Sequence, residues 1–300
     1  YPERPIKMIV PFSAGGGTDR MCRVLAPYLG EELGVDIVVE NRPGAGSQVG
    51  LTFLMNSKPD GYTVSQANQP HTSFTITTQD APYGIDDFAW VNLEHIDPIA
   101  INVLNEKPWM DLKELFDYIK ENPGKIAIGC TQASGPHVTL LYLQENYGLD
   151  FIIVPYPGGG AGRTALVGGH IDVYAANAFA NVSLKDQSRC LGIGWDTRSE
   201  IWPDAPTFQE LFNDDELTNF VKPMASFRGF VFPKKFKEEY PNRWETFVKA
   251  YEKAYHSEGH MKDSDRIGQT PIMHWIGPEE SERMAKETHL IVEKYSHYFK

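Results

Sequence analysis

The chain has 300 residues, a length typical of about two domains, and its 28 basic and 40 acidic side chains give a formal charge of −12. This acidic balance argues against a nucleic-acid-binding protein, which needs a basic face. It also means that an anionic ligand would have to be held by local dipoles, because the overall field does not attract it. No apolar run approaches the roughly 18 residues that span a bilayer, so we expect no direct membrane insertion.

The first hundred residues predict the start of a parallel α/β sheet, because strand, glycine loop, helix and strand follow one another in a βαβ pattern. In chain order the predicted elements are a strand at 6–12, a glycine loop at 13–17, a helix with Thr18 or Asp19 as its N-cap, strands at 36–40 and 62–64, and an extended apolar segment at 96–105.

A second series of elements repeats this layout, although the sequence itself contains no convincing repeat. Its predicted elements are a helix from Asp111, a strand at 126–129, a loop at 130–136, a helix at 137–147, a strand at 151–154, a glycine loop at 157–162, a helix at 163–167 and a strand at 171–175. A strand at 227–232 and a last helix from about Pro278 complete the pattern. The predicted fold class is therefore α/β.

Two glycine loops, at 13–17 and 157–162, are candidate anion-binding sites. Consecutive glycines let backbone N–H groups turn toward one point, and the helix that follows each loop adds its positive end. An ordinary strand-to-helix turn is the alternative for each loop. Because ligands of open α/β sheets bind at the carboxyl ends of strands, two such loops indicate two lobes facing one cleft, suited to a ligand with two carboxylates.

The other motifs of the sequence do not indicate catalysis or cofactor binding. Gly44, Gly46 and Gly50 have the wrong spacing for a dinucleotide fingerprint and follow the second strand. The first glycine loop is not a phosphate-binding P-loop, because no Gly-Lys-Ser/Thr follows it. A nucleophile elbow, an HExxH motif and clustered metal ligands are absent from the sequence. We therefore expect no enzyme, no cofactor and no metal. The three cysteines are expected to be small buried residues, with one disulfide as the alternative.

Several single residues have both a structural and a ligand-binding interpretation. The loop of Thr131, Gln132 and Ser134 would either hydrogen-bond a ligand or cap the next helix. Arg228 lies in an apolar strand and should pair with a carboxylate of the protein or of the ligand. The aromatic rings of Phe12 and Tyr156 flank the glycine loops, where they would pack against the core or cover the apolar body of a ligand.

Taken in order, seven motifs resemble the substrate-binding proteins of tripartite tricarboxylate transporters, the Bug or TctC family. They are Pro11-Phe12-Ser13-Ala14-Gly15-Gly16 with Asp19, Val39-Glu40-Asn41-Arg42-Pro43-Gly44-Ala45-Gly46, Pro59-Asp60-Gly61-Tyr62-Thr63, Asn122-Pro123-Gly124-Lys125, Val154-Pro155-Tyr156, Gly168-Gly169-His170-Ile171-Asp172 and Pro203-Asp204-Ala205-Pro206-Thr207. The resemblance implies a two-lobed periplasmic binding protein of the Venus-flytrap type (type II-like), with the ligand cleft between the lobes. Lobe one would comprise 1–103 and 226–300, and lobe two 104–225.

The resemblance also implies the ligand contacts, made largely by backbone N–H groups. In lobe one they are Phe12, Ala14, Gly15, Gly16, Thr18 and Asp19, with Ala67, Asn68 and Gln69 after the 62–64 strand. In lobe two they are Gly158, Gly159, Ala161, Thr131, Gln132 and Ser134, with Asn177. Tyr156 joins the candidate contacts because its ring flanks the second glycine loop. Many members carry tryptophan-aromatic-glycine where this chain has Phe227-Arg228-Gly229. Arg228 therefore joins the candidate contacts and leaves open which acid binds.

The expected function is that of a periplasmic receptor without enzymatic activity. It would capture a small carboxylate, either a di- or tricarboxylate or an aromatic acid, and deliver it to the membrane permease subunits of a tripartite tricarboxylate-type transporter. We expect a monomer, and we interpret the start at Tyr1 as a mature N-terminus after signal-peptide removal, although a trimmed sequence would look the same. The alternatives are a receptor feeding a two-component signalling system and an enzyme acting on a small organic acid.

Overall fold

The computed structural model describes residues 1–300, which fold as two units. The first unit is built from two chain segments, Tyr1–Ile96 and Phe227–Lys300, and the second is Asp97–Ser226. The chain therefore passes between units at 96–97 and at 226–227, where the sequence prediction had placed the boundaries at 103–104 and 225–226.

Eleven strands and twelve α-helices make up the two units. The strands are β1 (Ile6–Val10), β2 (Ile37–Asn41), β3 (Thr63–Gln69), β4 (Phe88–Asp97), β5 (Ile99–Leu104), β6 (Ala127–Thr131), β7 (Ile152–Tyr156), β8 (Val173–Asn177), β9 (Ser188–Gly194), β10 (Ser226–Pro233) and β11 (Met273–Ile276). The helices are α1 (Gly17–Leu33), α2 (Gln48–Met55), α3 (His71–Thr78), α4 (Leu112–Glu121), α5 (Gly135–Tyr147), α6 (Gly159–Val167), α7 (Phe208–Phe212), α8 (Asp215–Val221), α9 (Lys234–Glu239), α10 (Pro241–Tyr255), α11 (Glu258–Arg266) and α12 (Pro278–Tyr295).

The first unit contains a six-stranded sheet in the order β11-β4-β10-β3-β1-β2. Strand β1 is parallel to both neighbours, with Met8 opposite Val39 on β2 and Val64 on β3. Strand β10 runs antiparallel to β3, with Arg228 opposite Asn68. The predicted βαβ start and its parallel strands are confirmed, and the carboxyl ends of β1, β2 and β3 lie at one edge of the sheet.

The core of the first unit lies between this sheet and helices α1 and α10. Apolar residues at helical spacing on both helices and at alternate positions on the strands supply it, as the sequence periodicity predicts. Its buried members include Ile6, Met8, Val10, Met21, Leu25, Leu29, Val64, Phe230, Phe232, Trp244, Phe247 and Tyr251.

The second unit contains a five-stranded sheet in the order β7-β6-β8-β5-β9. Strand β6 is parallel to β7 and β8, while β5 is antiparallel to β8 and β9. Helix α6 packs on this sheet through Ala165 and Leu166, which join Ile171 and Tyr174 in one buried cluster. The loops before α5 and α6 therefore both leave the carboxyl ends of parallel strands.

Several predicted boundaries were wrong. Helix α1 has Gly16 as its N-cap and not Thr18 or Asp19, and helix α5 begins at Gly135 and not at His137. Helix α6 begins at Gly159 and not at Arg163, so a glycine-rich segment with low helix propensity forms its first turn. Strand β3 continues to Gln69 instead of ending at Val64. The extended segment at 96–105 is two strands, β4 and β5, interrupted at Pro98, which has no N–H to give to a sheet ladder.

The cysteine prediction is confirmed, since Cys22, Cys130 and Cys190 are all buried and free. Burial raises the pKa of the Cys130 and Cys190 thiols to about 12, so both stay protonated and unreactive. None of the helices combines the length and the hydropathy that a membrane crossing requires.

Candidate functional site

The first glycine loop ends in an uncapped helix. Residues 13–16 are exposed, and Gly15 has φ +80°, a left-handed conformation that favours glycine. Gly16 is the N-cap of α1 and, lacking a side chain, offers no acceptor to the first turn. The first N–H groups of a 17-residue helix are therefore left without a capping side chain, at the carboxyl end of β1.

Hydrogen bonds to the Asp19 side chain hold this loop in shape. Its buried carboxylate accepts hydrogen bonds from Gly15 N (2.8 Å), Arg23 Nε (3.0 Å) and Asn41 Nδ2 (2.9 Å). Burial alone would raise the pKa of this carboxyl group, but the bonds from Arg23, Gly15 and Asn41 together lower it below its ordinary value. The carboxylate of Asp19, one of the predicted ligand contacts, is thus hydrogen-bonded to the backbone of its own loop.

Two further residues support the loop, and sequence reasoning gave neither of them a role. Asn41, the last residue of β2, also donates from Nδ2 to the carbonyl oxygen of Phe12 (3.1 Å). Gly50 on α2 lies so close to the loop that an ideal Cβ there would be 2.7 Å from Pro11 Cβ. In the sequence, the Asn41-Arg42-Pro43-Gly44 motif and the later Gly50 could have indicated this support. The motif supplies a polar side chain beside β1, and Gly50 allows the backbone of α2 to approach it closely.

The second glycine loop also ends in an uncapped helix. Gly158 is the N-cap of α6, with extended backbone angles (φ −176°, ψ 162°) and no side chain to cap the first turn. The phenol of Tyr174 donates to the carbonyl oxygen of Gly159 (3.4 Å). An ideal Cβ on Gly162 would overlap the Tyr174 ring, so glycine is required for α6 to pack there.

The loop before α5 differs from both glycine loops because it is capped and covered. Ser134 Oγ donates to the carbonyl oxygen of Thr131 (2.6 Å) and accepts from His137 N (3.4 Å), as a capping residue does. An ideal Cβ on Gly135 would overlap the backbone of Met224, so the start of α5 is closely packed. The capping interpretation of Ser134 is therefore confirmed, while Gln132 is exposed.

The end of β3 brings three predicted residues together in the first unit. Ala67 and Gln69 are fully buried, and Asn68 is nearly so. Gln69 Oε1 accepts from Ser73 N (3.3 Å) and Ser73 Oγ (2.8 Å), so Gln69 caps α3. Asn68 lies directly opposite Arg228 across the strand pair, which puts both side chains on one face of the sheet.

Aromatic residues flank both loops and pack partly against the two cores. Phe12 is half-buried against the core of the first unit and meets the His71 ring edge-on, with 6.4 Å between centroids. Tyr156 ends β7 opposite Thr131 on β6 and packs against the cluster around Tyr174. Both rings therefore have a packing role, and each lies within a few residues of a glycine loop.

Arg228 lies beside the first turn of α1, since an ideal Cβ on Gly17 would be 3.8 Å from its Nη1. Asn177, by contrast, donates from Nδ2 to the carbonyl oxygen of Asp97 (2.7 Å), which ties the end of β8 to the start of the second unit. Arg163 and His71 also lie close to the loops, and sequence reasoning assigned them no role. That the predicted residues contact a ligand stays a prediction.

Comparison with known proteins identifies the family to which these features belong. A profile described as the tripartite tricarboxylate transporter family receptor, TctC, matches residues 21–257. The chain belongs to the TctC family. This confirms the resemblance drawn from the motifs, and since the family is one of receptors, it also confirms the interpretation of a receptor over that of an enzyme.

Curated relatives agree with the assignment to the TctC family. The "UPF0065 protein in gbd 5' region" of Cupriavidus necator is 32% identical over 70% of this chain and 65% of its own length. BugT of Bordetella pertussis is 34% identical over 70% of this chain and 67% of its own. The chain thus spans about two thirds of the length of the curated relatives it matches.

Solved structures confirm the fold along the whole chain. A TctC solute-binding protein from Polaromonas superposes with a TM-score of 0.85 at 23% identity, covering 99% of both chains. MatC from Rhodopseudomonas palustris with bound malate matches at 0.72 and 21% identity, covering 99% of this chain and 100% of that one. A second R. palustris protein, with adipate, matches at 0.74 and 22%, covering 99% and 97%. The α/β fold of two-lobed periplasmic binding proteins is therefore confirmed.

Proposed function

We propose that this protein is a periplasmic receptor that holds a small carboxylate at its two glycine loops and delivers it to the permease of a tripartite tricarboxylate-type transporter. One observation carries the proposal: each unit has one glycine loop that leaves a parallel strand and opens an uncapped helix, α1 in the first unit and α6 in the second. Helix N-termini of this kind attract anions through their free N–H groups and their dipoles.

The contrast with other helices supports this choice of loops. Helices α4, α5, α7, α8 and α11 each have a side chain that caps the first turn. Helix α12 has a glycine N-cap as α1 and α6 do, but Glu279 and Glu280 in its first turn already supply negative charge. Among the α-helices with a glycine N-cap, only α1 and α6 lack a pair of acidic residues in the first turn.

The energies are of the size that a receptor needs. A helix N-terminus stabilises an anion by about 0.3–1 kcal/mol, rising to roughly 2 when partly buried. Hydrogen bonds to a charged group contribute about 1.5–3 kcal/mol each. Two such ends with a few hydrogen bonds reach the approximately −8 kcal/mol of micromolar binding, despite the chain's net negative charge.

The ligands of two structural neighbours support a small organic acid. MatC was solved with malate and the second R. palustris protein with adipate, both short dicarboxylic acids. In this chain we assign the carboxylate contacts to the backbone around Gly16 and Gly159, and the cover over the apolar body of the ligand to Phe12 and Tyr156.

Valine substitutions at the N-cap region test the assignment. Gly16→Val and Gly159→Val place a branched side chain over the free N–H groups, and neither glycine has a positive φ, so the backbone is not strained. We expect each variant to lose the thermal shift that the wild type gives with a panel of malate, adipate, terephthalate, aspartate and nicotinamide. Ligand at a hundredfold excess over Kd stabilises the folded state by about 2.7 kcal/mol.

Gly277→Val is the matched control, because Gly277 caps α12 with nearly the same angles (φ −68°, ψ 173°) as Gly16 (φ −72°, ψ 169°) and has open space around it. Its ligand-induced shift should equal that of the wild type. Unchanged shifts in Gly16→Val and Gly159→Val would refute the backbone-clamp assignment. Delivery is tested separately, by ligand uptake into vesicles that contain the permease subunits, with and without this protein.

A further inference from the structure

A glutamate is buried in the core of the first unit, away from the two glycine loops. Glu94 lies on β4, an interior strand of the six-stranded sheet, and is 1% exposed. No basic side chain forms an ion pair with its carboxyl group, and its Oε1 has no hydrogen-bond partner. A charge in such a place costs much free energy, so the surroundings favour a neutral carboxyl group.

Three side chains bond the rest of this glutamate and form with it the Glu94 cluster. The phenol of Tyr251 on α10 donates to Glu94 Oε2, and Asn92 Nδ2 donates to the same oxygen (3.4 Å). The phenol of Tyr255, one turn further along α10, donates to the Glu94 carbonyl oxygen (3.5 Å). A carboxylate has acceptor sites on both oxygens, whereas here only one oxygen has donors.

The position of Glu94 also sets when it changes charge. Burial is the largest influence on its carboxyl group, and it raises the pKa to about 7 against the lowering effect of the hydrogen bonds from Tyr251 and Asn92. An ordinary glutamate, with a pKa of approximately 4.3, is ionised well below that pH. Glu94 therefore titrates near neutrality.

The other titratable and charged groups lie on the elements around Glu94 and its neighbour His95. They are Cys22 on α1 with Asp19 and Arg23 beyond it, Tyr251 and Tyr255 on α10, His260 on α11, His274 on β11 and Arg228 on β10. Burial raises the pKa of the Cys22 thiol and of both phenols, so these groups stay protonated at neutral pH. Burial lowers the pKa of the His95 and His260 rings, so both are neutral there.

The Glu94 cluster joins the two strands on which the chain leaves and re-enters the first unit. Strand β4 reaches the crossing at 96–97, and β10 begins at the crossing at 226–227. The side chain of Asn92 bonds both strands, because its Nδ2 donates to Glu94 and its Oδ1 accepts from Phe230 N on β10 (3.3 Å). The rings of Tyr251 and Phe230 also pack together, with 5.3 Å between centroids. A change at Glu94 therefore acts on both strands.

We propose that Glu94 is a pH-sensitive element of the first unit: its neutral carboxyl group holds β4 and β10 against α10, and its ionisation loosens these strands as the pH rises toward neutrality. An ionised Glu94 needs water or a positive partner, and the closed core offers no donor at Oε1. Local opening of the strands admits water to the carboxylate, so their amides lose protection.

The direction of the effect follows from the raised pKa. Because the folded chain holds this proton more tightly than the unfolded chain does, the stability that it contributes is complete below about pH 4 and is lost as the pH rises to about 7. Glu94→Gln keeps the shape and stays neutral at every pH. The unfolding equilibrium constant of the wild type should rise relative to that of Glu94→Gln by up to about 500-fold between pH 4 and 8. Titrations elsewhere in the chain cancel in this ratio.

The test combines urea-induced unfolding at pH 4 to 8 with native-state hydrogen exchange of the same two proteins. After correction for intrinsic exchange rates, peptides from β4 and β10 should lose protection in the wild type relative to Glu94→Gln as the pH rises. Peptides from β6 and β8 of the second unit should keep a constant ratio. Glu245→Gln is the control, because Glu245 is exposed on α10 and pairs with Lys249, and its pH profile should run parallel to that of the wild type.

Tyr251→Phe tests the cluster from its other side. This variant removes a hydrogen bond that favours the ionised carboxyl group, so the loss of stability should begin at a higher pH than in the wild type. A purely structural role of Tyr251 would lower stability equally at every pH.

Parallel pH profiles of the wild type and Glu94→Gln would overturn the proposal, as would an equal loss of protection in both units. The wild type alone gives a second test, which stands even if Glu94→Gln does not fold. Carbon-13 NMR of glutamate-labelled protein should show one side-chain carboxyl signal that titrates near pH 7. If all of them titrate below about pH 5.5, Glu94 is charged in the core and the proposal is wrong. No ligand enters these measurements, so this proposal and the proposed function can fail separately.

Discussion

The two glycine loops look alike in sequence but are supported by opposite kinds of interaction. The first is held by a polar network, in which the buried carboxylate of Asp19 accepts from Gly15, Arg23 and Asn41. The second is held by packing, in which α6 places Gly162 directly against the ring of Tyr174. The same exposed element, an uncapped helix N-terminus, is therefore built in two ways.

The difference matters for how each loop responds to change. A hydrogen-bonded carboxylate is sensitive to pH and to loss of its charge. A packed aromatic ring is sensitive to the volume of the residue that it contacts. Asp19 also occupies the Gly15 N–H, so the donors left for a ligand in the first loop begin after Gly15. In the second loop no acid approaches in this way, since the first turn of α1 contains Asp19 and the first turn of α6 contains no acidic residue.

The largest expected effect is that of Asp19→Asn. The variant leaves Arg23 without its carboxylate and replaces charged hydrogen bonds at the Gly15 amide by weaker ones. We expect the free energy of unfolding to fall by about 1.5–3 kcal/mol, limited by the half-exposed Arg23, in urea-induced unfolding. Asp36→Asn, at an exposed acid before β2, should stay within about 0.5 kcal/mol of the wild type. Equal stability of Asp19→Asn and the wild type would disprove the polar support.

Gly162→Ala is the corresponding test of the second loop. The added methyl group overlaps the Tyr174 ring, so the ring or the helix must move, at a cost of about 1–3 kcal/mol in unfolding free energy. Gly160→Ala is the matched control on the same helix turn, where a Cβ meets nothing within 4 Å. It should be neutral or stabilising by up to about 1 kcal/mol. Thermal unfolding that ranks the two variants the other way would contradict the packing support.

A smaller effect is the pH dependence that Asp19 gives to the first loop alone. Its pKa is lower in the folded chain than the approximately 3.9 of an unfolded aspartate. The stability it contributes is therefore complete above about pH 5 and is lost as the pH falls through the folded-state pKa. The stability difference between wild type and Asp19→Asn should be constant from pH 7 to 5 and shrink below about pH 4. A difference that persists unchanged at pH 3 in urea titrations would contradict this assignment.

Sequence reasoning found the two loops because glycines in a row are a strong local signal, and it found the parallel strands because buried strands read as apolar runs. It misplaced the start of α6 because glycine has low helix propensity, whereas in the structure Gly162 packs directly against the ring of Tyr174 on β8. Tertiary contacts of that kind leave no trace in local composition.

The roles of charged residues were harder to predict than their positions. Asp19 is a predicted ligand contact, and in the structure its side chain is also bonded to Arg23 four residues on and to Asn41 at the end of β2. Arg163 reads as an ordinary helix residue until α6 is seen to begin at Gly159, which puts the guanidinium beside the first turn. Which way a long side chain points depends on packing: Asp19 accepts a hydrogen bond from Asn41 of β2, and Arg163 donates one to the carbonyl oxygen of Ala180.

The joint use of both loops is tested most directly by nitrogen-15 glycine NMR during titration with the tightest carboxylate of the binding panel. If each loop grips one end of the ligand, the amide signals of Gly16 and Gly17 should shift together with those of Gly159 and Gly160 along one binding curve. The amide of Gly277, at the N-cap of α12, should stay in place. Shifts confined to one loop, or absent from both while the ligand binds, would contradict the two-loop receptor.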